Sequence, residues 1–227
     1  MILSIETSTS NCSVALHDMQ GKLLALKERD EQNIHASVLF VYIEAMIKEN
    51  SFSYSQLKAI AVSKGPGSYT GLRIGVSAAK GLCYSLDLPL ISLNTLYGMA
   101  SIIREKITVT DAVLVPMLDA RRMEVYNAVY NLNLDEIIPT RATIIDNRSF
   151  VEFEGRPLYF FGDGMPKCKE FLSGQEYTFF DHDIKASASG IGSVALQKFS
   201  RDEFENLAYF EPYYLKEFVT QSAFHKK

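Results

Sequence analysis

ILSIETSTS, residues Ile2 to Ser10, and CSVALHD, residues Cys12 to Asp18, set two apolar runs either side of a hydroxyl-rich turn. Short apolar runs bounded by such turns read as buried strands. The pattern predicts strands at Met1 to Glu6 and Cys12 to Asp18, and a third at Lys22 to Glu28 after the Gly21 turn. The period then changes to that of helices, expected at His35 to Glu49 and Thr70 to Leu86 on either side of a strand at Lys58 to Ser63. A short strand at Pro89 to Leu93 and a helix near Thr95 to Glu105 complete the run.

The same order then restarts, with strands at Ala112 to Leu118 and Glu124 to Asn131. Laying Glu6 on Asp119 superimposes apolar strand, acidic residue, polar turn and second apolar strand. This weak repeat predicts two related α/β halves, residues 1–107 and 108–227. A strand at Pro157 to Phe161, helices near Pro166 to Leu172 and Ser187 to Phe199, and an aromatic tail follow.

With 227 residues, 47% apolar and 22% charged, the chain has the makings of an ordinary folded core. Cys12, Cys83 and Cys168 are too scattered for a local metal pair and too few for a disulfide framework, so reduced buried thiols are expected. The start carries neither a basic leader nor a sustained apolar run, which predicts no membrane anchor and a cytoplasmic setting. The net charge of −4 is spread among interleaved signs, as in Lys27-Glu28-Arg29-Asp30-Glu31. Direct grip on RNA would need a cationic patch assembled by folding, so tRNA is expected to be contacted only indirectly.

Two segments carry candidate chemistry. Glu6, Thr7, Ser8 and Thr9, with Asp119 in the second half, could cradle phosphates around a magnesium ion; the alternative is a Ser/Thr turn that satisfies its own backbone. KGPGSYTGLR, Lys64 to Arg73, combines Gly65 and Gly67 in a tight loop with Ser68 or Thr70 as a helix cap. It lacks the Gly-Lys-Ser/Thr ending of a phosphate-binding P-loop. Arg73 either meets a partner's carboxylate or pins the loop. No metal site is expected, since none of His17, His35, His182 and His225 has a second histidine one helical turn away; Leu39 follows His35 at that spacing. No nucleophile elbow is present, and no catalytic residue is assigned.

The helix faces say more. His35 to Glu49 carries apolar residues around nearly its whole axis, leaving Ser37, Glu44 and Lys48 as a narrow polar strip. In the next helix Gly71, Gly75, Ala78 and Leu82 make a small-residue stripe beside Leu72, Val76, Ala79 and Cys83. Either the two helices pack only on each other, or a second molecule covers them. The second reading is preferred, with His35, Leu39, Tyr42, Ile43, Met46, Gly71, Ile74, Gly75, Ala78 and Leu82 as the contact face. On that reading Gly75→Phe weakens association and leaves the monomer folded.

ILSIETS, KGPGSYTGLRIGVSAAKGL, PMLDARRMEVYNAVY and PYYLK, in that order, resemble the TsaB family. The resemblance runs from Ile2 to about Lys216 and is most specific at Gly65 to Arg73; Lys216 departs from the arginine common in the last motif. It implies an actin-like ATPase (RNase H-like) fold, with two lobes of mixed sheets and flanking helices. It also implies a non-catalytic subunit supporting TsaD in threonylcarbamoyl transfer to the adenosine next to the tRNA anticodon. The partners implied are TsaD, bound through the first two helices, and the ATPase TsaE; apart from the resemblance, the same helix surface is expected to bind a second copy of the chain as a homodimer when TsaD is absent. No cofactor is required by the chain itself; ATP or ADP with magnesium would sit at the interface of the complex. The rival readings are a stand-alone ATPase or sugar-kinase-like phosphotransferase using Glu6, Thr7 and Asp119, and a peptidase, for which metal ligands are missing.

Overall fold

The strand at Ile2–Glu6 (β1) pairs antiparallel with Asn11–His17 (β2), which pairs with Leu23–Asp30 (β3), in the computed structural model, which describes residues 1–173, 178–181 and 183–216. On its other side β1 runs parallel to Ala59–Gly65 (β4), and β4 to Leu90–Asn94 (β5), giving the order β3-β2-β1-β4-β5. The second sheet repeats this plan. Val113–Asp119 (β6), Glu124–Tyr130 (β7) and Glu136–Ile144 (β8) form the meander. Leu158–Phe161 (β9) and Thr178–Asp181 (β10) add parallel on the other side of β6, giving β10-β9-β6-β7-β8. Glu6 and Asp119, the residues that aligned the repeat, each end the central strand of a sheet. This is the actin-like, RNase H-like arrangement expected.

Helices His35–Glu49 (α1) and Tyr69–Leu86 (α2) cover one face of the first sheet, where Leu39, Ile43, Met46, Val76, Ala79 and Cys83 pack on Leu3, Ile5, Val14, Ile60 and Val62. The expected helix bounds are met to within one residue. Thr95–Arg104 (α3) buries Leu96, Met99, Ala100 and Ile103 against Leu114, Leu118 and Tyr130 of the second sheet. The short helix Lys169–Leu172 (α4) contributes Leu172 to that sheet's other face, and Gly192–Ser200 (α5) brings Val194 and Ala195 to the first sheet. Helices are therefore exchanged between the halves, α3 packing beyond residue 107 and α5 returning to the first sheet. Strands β8 and β10 were not foreseen. Pro139 sits inside β8 without penalty because β8 is an edge strand, where a missing N–H need not face a partner.

Cys12, Cys83 and Cys168 are buried free thiols, and burial pushes Cys83 up to about 12. No helix among the described residues is long and apolar enough to cross a membrane.

Candidate partner-binding face and inter-lobe cleft

Glu6 leaves β1 into the turn and is buried, its Oε1 accepting the Ser8 N–H at 2.6 Å. The turn is spent on the loop before α2. Thr7 Oγ1 donates to Gly71 O at 2.8 Å, and the Ser68 N–H donates to Ser8 O at 2.6 Å. Asp119, exposed at the end of β6, accepts from Arg121 N at 2.9 Å and is ion-paired with Lys167. Between the lobes lies a cavity of about 50 Å³ lined by residues including Thr9, Asn11, Asp30, Leu118, Asp163 and Lys185. Small-molecule sites usually occupy about 300 Å³ or more. The structure thus joins Glu6, Thr7 and Ser8 to the α2 loop, not to Asp119 around an open cradle. Glu6 and Thr7 are spent on the turn and on α2, while the Ser8 hydroxyl is buried and makes no hydrogen bond to the described residues.

Burial raises the Glu6 carboxyl above its ordinary value, against the opposing pull of hydrogen bonds from Ser8 and Ser63. The folded chain then holds this proton more tightly than the unfolded chain. Between the ordinary value of 4.5 and the raised one the fold binds more protons, so the contribution of Glu6 to stability falls as pH rises through that window. Glu6→Gln removes the titration, and its melting temperature should decline less than that of the natural chain as pH climbs from 4.5. Parallel melting curves would contradict the assignment.

In the Lys64 to Arg73 loop, Ser68 caps α2, its Oγ accepting from Gly71 N at 3.2 Å, while Thr70 stays exposed. Gly67 passes directly over Ser8, and Gly65 adopts φ +114 with Tyr213 O close by. The tail beyond α5 folds back here, a contact that sequence reading left open. Tyr213 N donates to Lys64 O at 2.7 Å, and Lys80 Nζ donates to Ala208 O and Phe210 O at 3.3 and 3.0 Å. Arg73 pins the loop: its guanidinium lies 4.1 Å from the Tyr69 ring centroid and its Nε donates to Tyr214 Oη at 3.0 Å. Lys216 reaches the second lobe and pairs with Glu124. The residues missed by sequence reading are therefore Tyr213, Tyr214 and Lys80; PYYLK was the one signal of the two tyrosines, and Lys80 lies in KGPGSYTGLRIGVSAAKGL.

The contact face expected on the helices needs correction. His35, Leu39, Ile43, Met46, Gly71, Gly75 and Ala78 are buried within their own lobe. Gly71 and Gly75 lie against the Thr7 turn so closely that a Cβ at either would overlap Thr7, so the small-residue stripe admits a β-turn and not a second helix. Gly75→Phe would therefore damage the monomer itself, contrary to the sequence expectation. Tyr42, Ile74 and Leu82 are half-buried. The apolar side chains left in water are others: Phe40 is 55% exposed, Val41 58% and Tyr84 84%. The two outer helix surfaces thus still carry uncovered apolar area, displaced around each axis from the expected positions.

His35 points its ring toward Thr9 and the core, with burial lowering its pKa, and Leu39 is enclosed. His182 and His225 lie outside the described residues.

The family model described as "TsaD: tRNA N6-adenosine threonylcarbamoyltransferase" matches residues 29–224. The tRNA threonylcarbamoyladenosine biosynthesis protein TsaB of Bacillus subtilis is 30% identical over 198 residues, which span 86% of this chain and 80% of that protein. Among solved structures, YeaZ from Pseudomonas aeruginosa superimposes with a TM-score of 0.79 at 24% identity, over 94% of this chain and 99% of that one. The activator of 2-hydroxyisocaproyl-CoA dehydratase from Clostridium difficile, with bound ADPNP, has a TM-score of 0.51 at 10% identity, covering 90% and 97% of the two chains. These two structural likenesses show a shared fold.

Proposed function

The chain belongs to the TsaB branch of the tRNA N6-adenosine threonylcarbamoyltransferase (TsaD) family, and from that premise we propose that it is a partner subunit that contributes no reacting group. It docks on TsaD through the outer faces of α1 and α2 and supports threonylcarbamoyl transfer to the adenosine next to the tRNA anticodon. The observation that carries this reading is the uncovered apolar surface at Phe40, Val41 and Tyr84 on two adjacent helices. Exposed aromatic and aliphatic side chains of this kind are the usual anchors of protein interfaces. In the absence of TsaD the same face meets a second copy, forming a two-fold homodimer. TsaE joins the complex as its ATPase.

The non-catalytic role is supported by how the rival's residues are used. Glu6 is buried and bonded to the turn, Asp119 is paired with Lys167, and the cavity beside the turn is about 50 Å³. A stand-alone phosphotransferase would need these carboxylates free to hold a metal nucleotide. ATP or ADP with magnesium belongs, on this reading, to the interface with the partner.

The test is a transfer assay with tRNA and the threonylcarbamoyl-adenylate donor, run with this chain alone, TsaD alone and both together. Product is expected at full rate only with both. Turnover by this chain alone would overturn the proposal.

A further inference from the structure

Among the described residues Tyr84 and Tyr209 share the largest exposure of the exposed large apolar and aromatic side chains, 84% each. Tyr84 belongs to the helix face already described. Tyr209 lies elsewhere, on the rim of a cleft of about 380 Å³ formed where the tail folds back, lined also by Lys64, Glu205, Asn206, Glu211 and Tyr213. The volume falls within the range of small-ligand sites.

The ring is held outward by construction. Asn206 Oδ1 accepts the N–H groups of Ala208 and Tyr209 at 3.1 and 3.3 Å, and Lys80 holds the carbonyls of Ala208 and Phe210 on either side. Phe210 is buried in the first lobe's core, which turns its neighbour Tyr209 to solvent. Backbone fixed on both flanks gives a preorganised aromatic surface, so little entropy is lost when something stacks on it.

The charges beside the ring select the kind of partner. Lys64 lines the cleft, and its ammonium has no hydrogen bond or ion pair among the described residues. Arg73 hydrogen-bonds a tyrosine and Lys80 two carbonyls, so neither cation is neutralised by a carboxylate through these bonds. Glu205 turns inward to the Ser92 hydroxyl, and Glu211 lies near Arg73. An open tyrosine ring sharing its cleft with a lysine that has no partner among the described residues suits a base and its phosphate. Stacking on aromatic side chains, assisted by nearby cations, is how unpaired nucleotides are held without regard to sequence. A dry protein anchor would want an apolar cleft, and this one is largely polar.

We propose that the tail cleft binds one unpaired nucleotide of an RNA strand, with the base on Tyr209 and the phosphate at Lys64. The proposal deepens the functional reading above by giving this chain a direct contact with the RNA substrate, where sequence alone led to an indirect one. Stacking supplies most of the affinity, because Glu205 and Glu211 offset much of the positive charge. Salt dependence is accordingly shallow, with a slope of about −0.7 for one phosphate neutralised on a single strand.

The experiment is fluorescence anisotropy of the intact chain with a labelled single-stranded RNA of about twelve nucleotides. Binding should weaken at least about fivefold in Tyr209→Ala, the lower end for loss of one base stack, and survive in Tyr209→Phe. Lys64→Met should flatten the salt slope. Association of Tyr209→Ala with TsaD, followed in parallel, should stay unchanged, which separates this proposal from the docking of α1 and α2. Natural chain that ignores the RNA, or Tyr209→Ala that binds it as well as the natural chain, would overturn the proposal. So would Tyr209→Ala that loses TsaD and keeps RNA.

Discussion

Phe40→Asp is expected to weaken association with TsaD by about 30-fold or more, and to leave the circular dichroism and melting of the isolated chain unchanged. The size follows from the role of the side chain. A central aromatic anchor is worth about 2 kcal/mol or more when truncated, and each 1.4 kcal/mol is about tenfold in affinity. A carboxylate adds to this, since it must be dehydrated against an apolar partner. The monomer is indifferent because Phe40 is more than half exposed and contributes little to the lobe's own core. Ile43, three residues on, is fully buried, and Ile43→Asp should unfold the chain instead. The pair therefore separates interface from core within one helix. Calorimetric titration with TsaD checks the affinity, and thermal unfolding checks the fold.

Gly71→Ala lowers the stability of the monomer, although helix propensity alone predicts a gain. Glycine to alanine inside a helix is worth about 1 kcal/mol in favour of alanine. At Gly71 the new methyl would overlap Thr7 O, and Thr7 Oγ1 already donates to Gly71 O at 2.8 Å. Forcing an extra carbon into a filled contact typically costs about 1–3 kcal/mol, and a backbone atom yields less readily than a side chain, so the upper end applies. The net loss should be about 2 kcal/mol, read as a lower denaturation midpoint at unchanged slope. Gly81→Ala is the control on the same helix. Nothing lies within 4 Å of a Cβ there, so the propensity gain should appear undiminished. Equal stabilisation at both positions would show that the Thr7 turn does not seat against α2.

These two predictions also mark what a one-dimensional reading can reach. The run ending at Glu6 and its echo ending at Asp119 revealed two equivalent meanders, because a buried strand followed by a polar turn leaves a pattern in the residues themselves. Helix α1 was read to its ends for the same reason. The glycine stripe of α2 was read correctly as a close-approach surface but given the wrong neighbour. A helical wheel reports which side chains are small, and cannot report that the backbone at Thr7, 64 residues earlier in the chain, fills the gap. The tail escaped for a related reason. Several of its anchors are main-chain atoms, Lys64 O, Ala208 O and Phe210 O, which every residue type possesses. Strand β8 was hidden by Pro139 and by its edge position, where no residue is fully buried and the apolar signal is weak. As for the cradle, the hydroxyl of Thr7 would look the same in sequence whether it faced a phosphate or, as it does, the backbone of a neighbouring helix.

Amide hydrogen exchange of this chain, alone and saturated with TsaD, tests the docking face most directly. Slowed exchange confined to His35–Glu49 and Tyr69–Leu86, and abolished by Phe40→Asp, is the predicted result. Protection that falls instead on the second lobe, or no change on adding TsaD, would contradict it.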